Sequence, residues 1–173
     1  MKKITLLFVF IGMITLQSCT TEDDQIDVDN DTIAEVFEYN TNVNFTYGNG
    51  YSVELTFPYT IYTSDMVLVY RLTGTDAGTD VWKLLPETYY NNDGTLKFGY
   101  RNDFTNINAV VTLFGYDLPN LSNAYKLDQV FRVVVIPAYF GNKTDAGKLD
   151  FEDYNSVKEY YKLDTAKVTK IKM

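Results

Sequence analysis

The 173-residue chain is 46% hydrophobic and 16% aromatic, contains no histidine and one cysteine, and carries a formal charge of -8. Without imidazole there is no serine or cysteine triad, no histidine acid-base pair and no two-histidine metal site. A single cysteine excludes an intrachain disulfide and every multi-cysteine zinc or iron-sulfur centre, while the length and the 22% charged fraction suit one folded domain.

The chain opens with a basic pair, Lys2-Lys3, and an apolar run from Ile4 to Leu16. Thirteen residues fall short of the roughly 20 needed to span a bilayer as a helix, so the segment is expected to be an export signal. It ends Leu16-Gln17-Ser18-Cys19, which resembles the lipobox of bacterial lipoproteins. The resemblance implies cleavage after Ser18, a diacylglycerol on the Cys19 thiol and an acylated amine. Gln17 and Ser18 depart mildly from the small residues usual there.

Once residues 1–18 are gone, 13 basic residues face 23 acidic ones. Cys19 to Tyr70 holds ten acids and no base, whereas Arg71 to Met173 holds thirteen of each. The excess therefore belongs to the N-terminal part. No basic stripe exists to follow a phosphate backbone, so nucleic acid is not an expected partner. Anionic headgroups would repel this segment, which leaves the acyl chains on Cys19 as the membrane attachment.

Thr20 to Thr32 is polar, acidic and aperiodic, the composition of a disordered tether, and could reach roughly 45 Å when fully extended. Within it, Glu22, Asp23 and Asp24 resemble the acidic export signal that follows the lipidated cysteine in surface lipoproteins of the Bacteroidota.

From Ile33 the pattern has period two. Phe37, Tyr39, Val43, Phe45 and Tyr47 alternate with polar residues, and after Gly48-Asn49-Gly50 the alternation resumes with Tyr51, Val53, Leu55 and Phe57. This predicts an antiparallel hairpin. Met66 to Leu72 is apolar except for Arg71, as in a strand covered on both faces. Val81 to Leu85 forms a shorter strand stopped at Pro86. Thr88 to Asn92 and Thr95 to Arg101 flank Asp93-Gly94, a type I′ hairpin signal. Ile107 to Phe114 and Val130 to Ile136 complete eight strands, with turn-rich pieces at Gly74–Thr79, Asn102–Asn106 and Asp117–Asn123. The predicted fold is an all-β, antiparallel β-sandwich.

One C-terminal helix is expected, capped by Asp150, with Phe151, Tyr154, Val157, Tyr160 and Tyr161 on one stripe laid over an open end or edge of the sandwich. Lys167 to Lys172 alternates Lys with Val168, Thr169 and Ile171, an edge strand guarded by lysines. The domains are thus a signal peptide at 1–18, a lipidated tether at 19–32 and the sandwich with its helix at 33–173.

Three phrases extend the resemblance: Ser64 to Leu72, Asp80 to Pro86 and Asp128 to Ala138. They look like those of a group of Bacteroidota lipoproteins often named collagen-like, after a Gly-Pro repeat between the lipidated cysteine and the body. That repeat is missing here and the acidic segment stands in its place, so no triple helix is implied. The resemblance covers most of Val36 to Tyr161 and brings no activity with it.

Chemistry must come from carboxylates, amines, hydroxyls and aromatic rings. Asp76, Asp80, Asp93 and Asp103 could supply a glycosidase pair, although acids beside glycine are usually turn formers. Asn142 to Gly147 leading into Asp150 and Asp153 has the outline of a calcium loop with too few charges, and no metal or other cofactor is expected. Asp31-Thr32-Ile33 and Asp164-Thr165-Ala166 resemble Bacteroidota O-glycosylation acceptors. Trp82 is expected in the core, and Arg71 and Arg132, mid-strand, need buried carboxylates, with Asp65 and Glu54 as candidates.

Tyrosine is in excess, at 15 residues. Tyr89, Tyr90, Tyr100 and Tyr116 are the candidates for an exposed aromatic surface that stacks on sugar rings or anchors a protein. The resulting expectation is a lipid-anchored outer-membrane protein at the cell surface, a non-enzymatic glycan- or protein-binding module. A carboxylate-dependent hydrolase and a structural envelope component are the alternatives.

Overall fold

The computed structural model describes residues 33–138, 149–163 and 167–173. Among them the period-two segments become nine strands: β1 (Glu35–Tyr39), β2 (Ser52–Thr56), β3 (Met66–Asp76), β4 (Thr79–Leu84), β5 (Glu87–Tyr90), β6 (Leu96–Phe104), β7 (Asn108–Gly115), β8 (Phe131–Ile136) and β9 (Thr169–Ile171). They form a five-stranded sheet in the order β4-β3-β8-β1-β9 and a four-stranded sheet in the order β2-β7-β6-β5. The expected all-β sandwich is therefore present. Its ninth strand, β9, is the lysine-flanked edge and runs parallel to β1, the one departure from antiparallel pairing among the described strands.

The core lies between the sheets, where Phe37, Val69, Phe131 and Val133 meet Leu55, Phe98, Tyr100 and Leu113. A second apolar layer covers the outer face of the five-stranded sheet. There Val36, Tyr70, Trp82, Val134 and Ile136 pack under Tyr154, Val157 and Tyr161 of helix α1 (Tyr154–Tyr161). Two covered faces explain why β3 and β8 read as continuous apolar runs. The helix thus lies on a sheet face, where the exposed row of apolar side chains is, and not over the open end or edge expected from its stripe.

The hairpin expected across Gly48-Asn49-Gly50 does not form. β1 pairs with β8 and β9, whereas β2 pairs with β7 in the other sheet. Asn42 adopts a left-handed φ of 58°, and the chain beyond it is bound by Lys126 and Gln129: Phe45 N donates to Lys126 O at 2.7 Å and Gln129 N to Val43 O at 3.0 Å. Alternation specifies which side chains face the core and leaves the partner strand undetermined.

Turn chemistry differs from expectation in a related way. β3 and β4 meet at the two-residue turn Ala77-Gly78, with φ of 46° and 82°, so the type I′ geometry is here. At Asp93-Gly94 only the glycine has positive φ, and the β5–β6 hairpin closes through Asn91 with a register shift between Tyr89 and Tyr90.

The helix cap also moves. Asp153, not Asp150, accepts the Asn155 amide at 3.0 Å and the Ser156 hydroxyl, while Asp150 holds a local turn through the Glu152 amide. The Ser156 hydrogen bond holds the Asp153 carboxyl below its ordinary range, so the cap contributes fully above about pH 4 and is lost as pH falls below it. Asp153→Ala should lower unfolding stability by about 1 kcal/mol and Asp150→Ala by under ~0.5 kcal/mol. Urea melts of the two variants check the assignment, which fails if the larger loss belongs to Asp150.

Each mid-strand arginine has its own buried acid, and neither Asp65 nor Glu54 is involved. Arg132 Nε and Nη2 donate to Glu38 Oε2 at 3.0 and 2.9 Å, with the guanidinium 4.0 Å from the Trp82 ring under the helix. Trp82 is core, as expected. Asp65 instead accepts the Tyr62 and Ala138 amides, and Glu54 accepts the Asn108 side-chain amide.

Candidate functional site

The site begins at the turn that joins β5 to β6. Asn91 N donates to Thr95 O at 2.9 Å, Gly94 N to Asn91 O at 3.0 Å, and Asp93 Oδ1 accepts both the amide and the hydroxyl of Thr95. The Thr95 hydroxyl and amide hold the Asp93 carboxyl below its ordinary range, so it stays an anionic acceptor. The turn sets Tyr90 on one flank, 60% exposed, and Lys97 on the other.

Beside this turn, β7 runs out at Gly115 into Tyr116, which is 98% exposed. Tyr90, Asn91, Asn92, Asp93 and Lys97 line one shallow cleft of about 460 Å³. Asn91, Leu96, Lys97, Tyr116, Asp117 and Asn120 line a second of about 240 Å³. The clefts share Asn91 and Lys97, so two exposed tyrosines flank one lysine with amides and carboxylates around it. Phe114 lies across Gly99, where a Cβ would stand 2.6 Å from its ring.

The loop after Tyr116 is held rigidly for its length, and ordered long loops commonly carry function. Asn120 Nδ2 donates to both oxygens of Asp117, Lys126 Nζ to the carbonyls of Leu118 and Pro119, and Ser122 caps a 3₁₀ turn at Asn123–Tyr125. From below, Gln129 Nε2 donates to Ala124 O at 2.9 Å and Leu127 O at 2.7 Å.

Gln129 belongs in turn to a buried polar cluster. Arg71 Nη1 donates to its Oε1 at 3.0 Å, Arg71 Nε to Glu87 Oε1, and Arg71 Nη2 to the Tyr89 hydroxyl at 2.6 Å. The guanidinium also lies 4.6 Å from the Tyr100 ring, and the Tyr100 hydroxyl donates to Tyr125 O. An ion pair inside the sandwich therefore supports the loop that borders Tyr116.

The four candidate tyrosines divide accordingly. Tyr90 and Tyr116 are at the surface patch. Tyr89 is half-buried, stacked on Phe98 at 4.4 Å and bound to Arg71, and Tyr100 is fully buried in the core. Tyr100 therefore cannot meet a surface ligand, because its inward strand position points it between the sheets. Lys97, Asn91 and Asn120 were not singled out by sequence, although Tyr-Asn-Asn-Asp-Gly followed by Lys97 marks a turn with an exposed aromatic beside a base.

The loop acids are dispersed. Asp76 and Asp80 line a separate cleft with Asp153, but Asp80 is paired with Thr75 and Asp76 with Thr79, which points the two acids to opposite faces of the hairpin. Asp93 is at the β5–β6 turn and Asp103 near the far end of β6. Among the described residues no group of three His, Cys, Asp or Glu could hold a metal ion. The signal peptide, Cys19, Glu22, Asp23, Asp24, Asp31-Thr32, Asn142–Gly147 and Asp164–Ala166 lie outside the described residues. Comparison with models of known families, with curated proteins and with solved structures finds no match to this chain.

Proposed function

We propose that this is a lipid-anchored outer-membrane protein, tethered through Cys19, whose sandwich binds a glycan at the cell surface across Tyr90, Lys97 and Tyr116. The observation that carries the reading is the pair of tyrosines left 60% and 98% exposed beside one another's clefts, in a domain whose described aromatic rings are mostly buried or half-buried. Exposed aromatic faces stack on the C–H faces of sugars, and the amides and carboxylates around Lys97 offer hydrogen bonds to vicinal hydroxyls. Around the rings Leu96 is the exposed apolar side chain, and Asn91, Asn92, Asp93, Lys97, Asp117 and Asn120 outnumber it, which favours a glycan over a protein with an apolar interface core.

A glycan array probed with the full chain tests this. Tyr90→Ala and Tyr116→Ala should each weaken binding by about tenfold or more, the loss of one stacking anchor, with no change in melting temperature. Binding that survives both substitutions, or capture of surface proteins with no glycan bound, overturns the glycan reading.

A further inference from the structure

The molecule has a second exposed apolar surface, at the opposite end of the four-stranded sheet. β6 runs from Leu96 beside the tyrosine patch to Phe104, about 26 Å at ~3.3 Å per residue. There Phe104 is 49% exposed and Ile107, in the following turn, 50% exposed. The loop between β2 and β3 joins this turn to the other sheet. Phe57 N donates to Ile107 O at 2.8 Å and Ile61 N to Asn106 O at 2.9 Å. Beyond them Tyr62 and Met66 are exposed, and Asp65 ties the loop to Ala138 at the end of β8. Ile33, 58% exposed, lies on this same side, because β1 starts at Glu35 opposite Val135.

Three features of this pole bear on what covers it. The N-terminal segment joins the domain here, at Ile33, so an acyl anchor on Cys19 is no more than roughly 45 Å of chain away. The exposed side chains are Ile, Met, Phe and Tyr, the types that settle at a bilayer interface. The charges in 33–35, 57–66, 102–108 and 137–138 are Glu35, Asp65 and Asp103, and Lys167, set level with Glu35 by the parallel register of β9 on β1, adds a cation beside them, so the described part of the pole carries no basic cluster that would select anionic headgroups.

We propose that this pole, built on Phe104, Ile107, Tyr62, Met66 and Ile33, rests on a lipid surface of uncharged or zwitterionic headgroups and so points Tyr90 and Tyr116 away from the membrane. The inference rests on the lipid-anchored reading above. Five partly exposed side chains bind weakly alone. Held near the membrane by the anchor, they dock intramolecularly.

The full chain carries one native thiol, which the lipid consumes, so an introduced cysteine can be labelled uniquely. Ile107→Cys and Tyr116→Cys, each bearing an environment-sensitive fluorophore, are reconstituted in phosphatidylcholine vesicles with or without brominated acyl chains. Brominated lipid should quench the label at 107 about twofold and the label at 116 by under ~10%. The native chain should sediment with vesicles and Cys19→Ser should not. Sedimentation without quenching at 107, or with equal quenching at both labels, overturns the docking and leaves the anchor standing. Failure of the native chain to sediment overturns both.

Discussion

Glu87→Leu should lower the unfolding free energy by about 3–5 kcal/mol, the cost of leaving a buried guanidinium without its counter-charge. Arg71 is 4% exposed and Glu87 2%, so water cannot replace the lost partner. Burial disfavours the Arg71 charge, and the hydrogen bond and charge of Glu87 outweigh it, leaving the guanidinium more firmly protonated than usual. Lys83, 4.0 Å from Glu87 Oε2 but more than half exposed, adds little through solvent. Arg71→Met in the Glu87→Leu background should restore about half of the loss, since the residual cost is the Gln129 oxygen and Tyr89 hydroxyl left without Arg71. Urea melts of the two singles and the double measure the coupling. A coupling below ~0.5 kcal/mol would show that the pair is not a unit.

The same variants connect stability to binding. Arg71 reaches the loop after Tyr116 through Gln129, and Tyr100 reaches it through the Tyr125 carbonyl. In Glu87→Leu the loop loses its support from below, so amide exchange across residues 120–129 should rise before that of β6 and β7. The buried pair is in this sense the foundation of the surface patch.

Strand positions were legible because burial leaves a period of two or an unbroken apolar run, as in β3, β7 and β8. Partner choice was not. The stretch from Asn40 to Thr46 keeps a strand's alternation while packing against Lys126 and Gln129, because a core-facing row of side chains is the same whether a strand or a loop covers the backbone. The ion pairs followed the same logic. That Arg71 and Arg132 needed acids was evident from their apolar neighbours. That the first acid is Glu87 depends on how the two sheets stack, and that the second is Glu38 depends on the β1–β8 register that sets it opposite Arg132, neither of which local spacing encodes. For the tyrosines, Tyr90 and Tyr116 flank turns, Tyr39 and Tyr100 occupy inward strand positions, and Tyr70, Tyr154 and Tyr161 lie between sheet and helix, so Tyr100 was separable from Tyr116 only once the inward face of β6 was known.

The buried tyrosines fix where the fold fails with pH. Tyr39, Tyr70 and Tyr100 are fully buried, and each hydroxyl donates to a main-chain carbonyl: Thr56 O at 2.7 Å, Phe151 O at 2.7 Å and Tyr125 O. Each tie joins a strand to another layer, which is one use of the chain's tyrosine excess. Burial pushes all three hydroxyls well above the ordinary tyrosine value, and a phenolate there would also face a carbonyl oxygen. With folded values raised, the contribution is complete below about pH 10, where both states are protonated, and is lost above it as the unfolded chain releases protons. Three such groups remove up to about 4 kcal/mol per pH unit, so a domain stable by about 5–8 kcal/mol should unfold near pH 11–12. With no histidine to titrate, stability should be nearly flat from about pH 6 to 9. Tyrosinate absorbance of Tyr39, Tyr70 and Tyr100 should therefore rise in a step coincident with loss of near-ultraviolet circular dichroism, as unfolding exposes the three rings. Tyr39→Phe should flatten the alkaline limb by about a third. A single smooth titration of every tyrosine in the folded protein would show that these hydroxyls are not the ties they form in the structure.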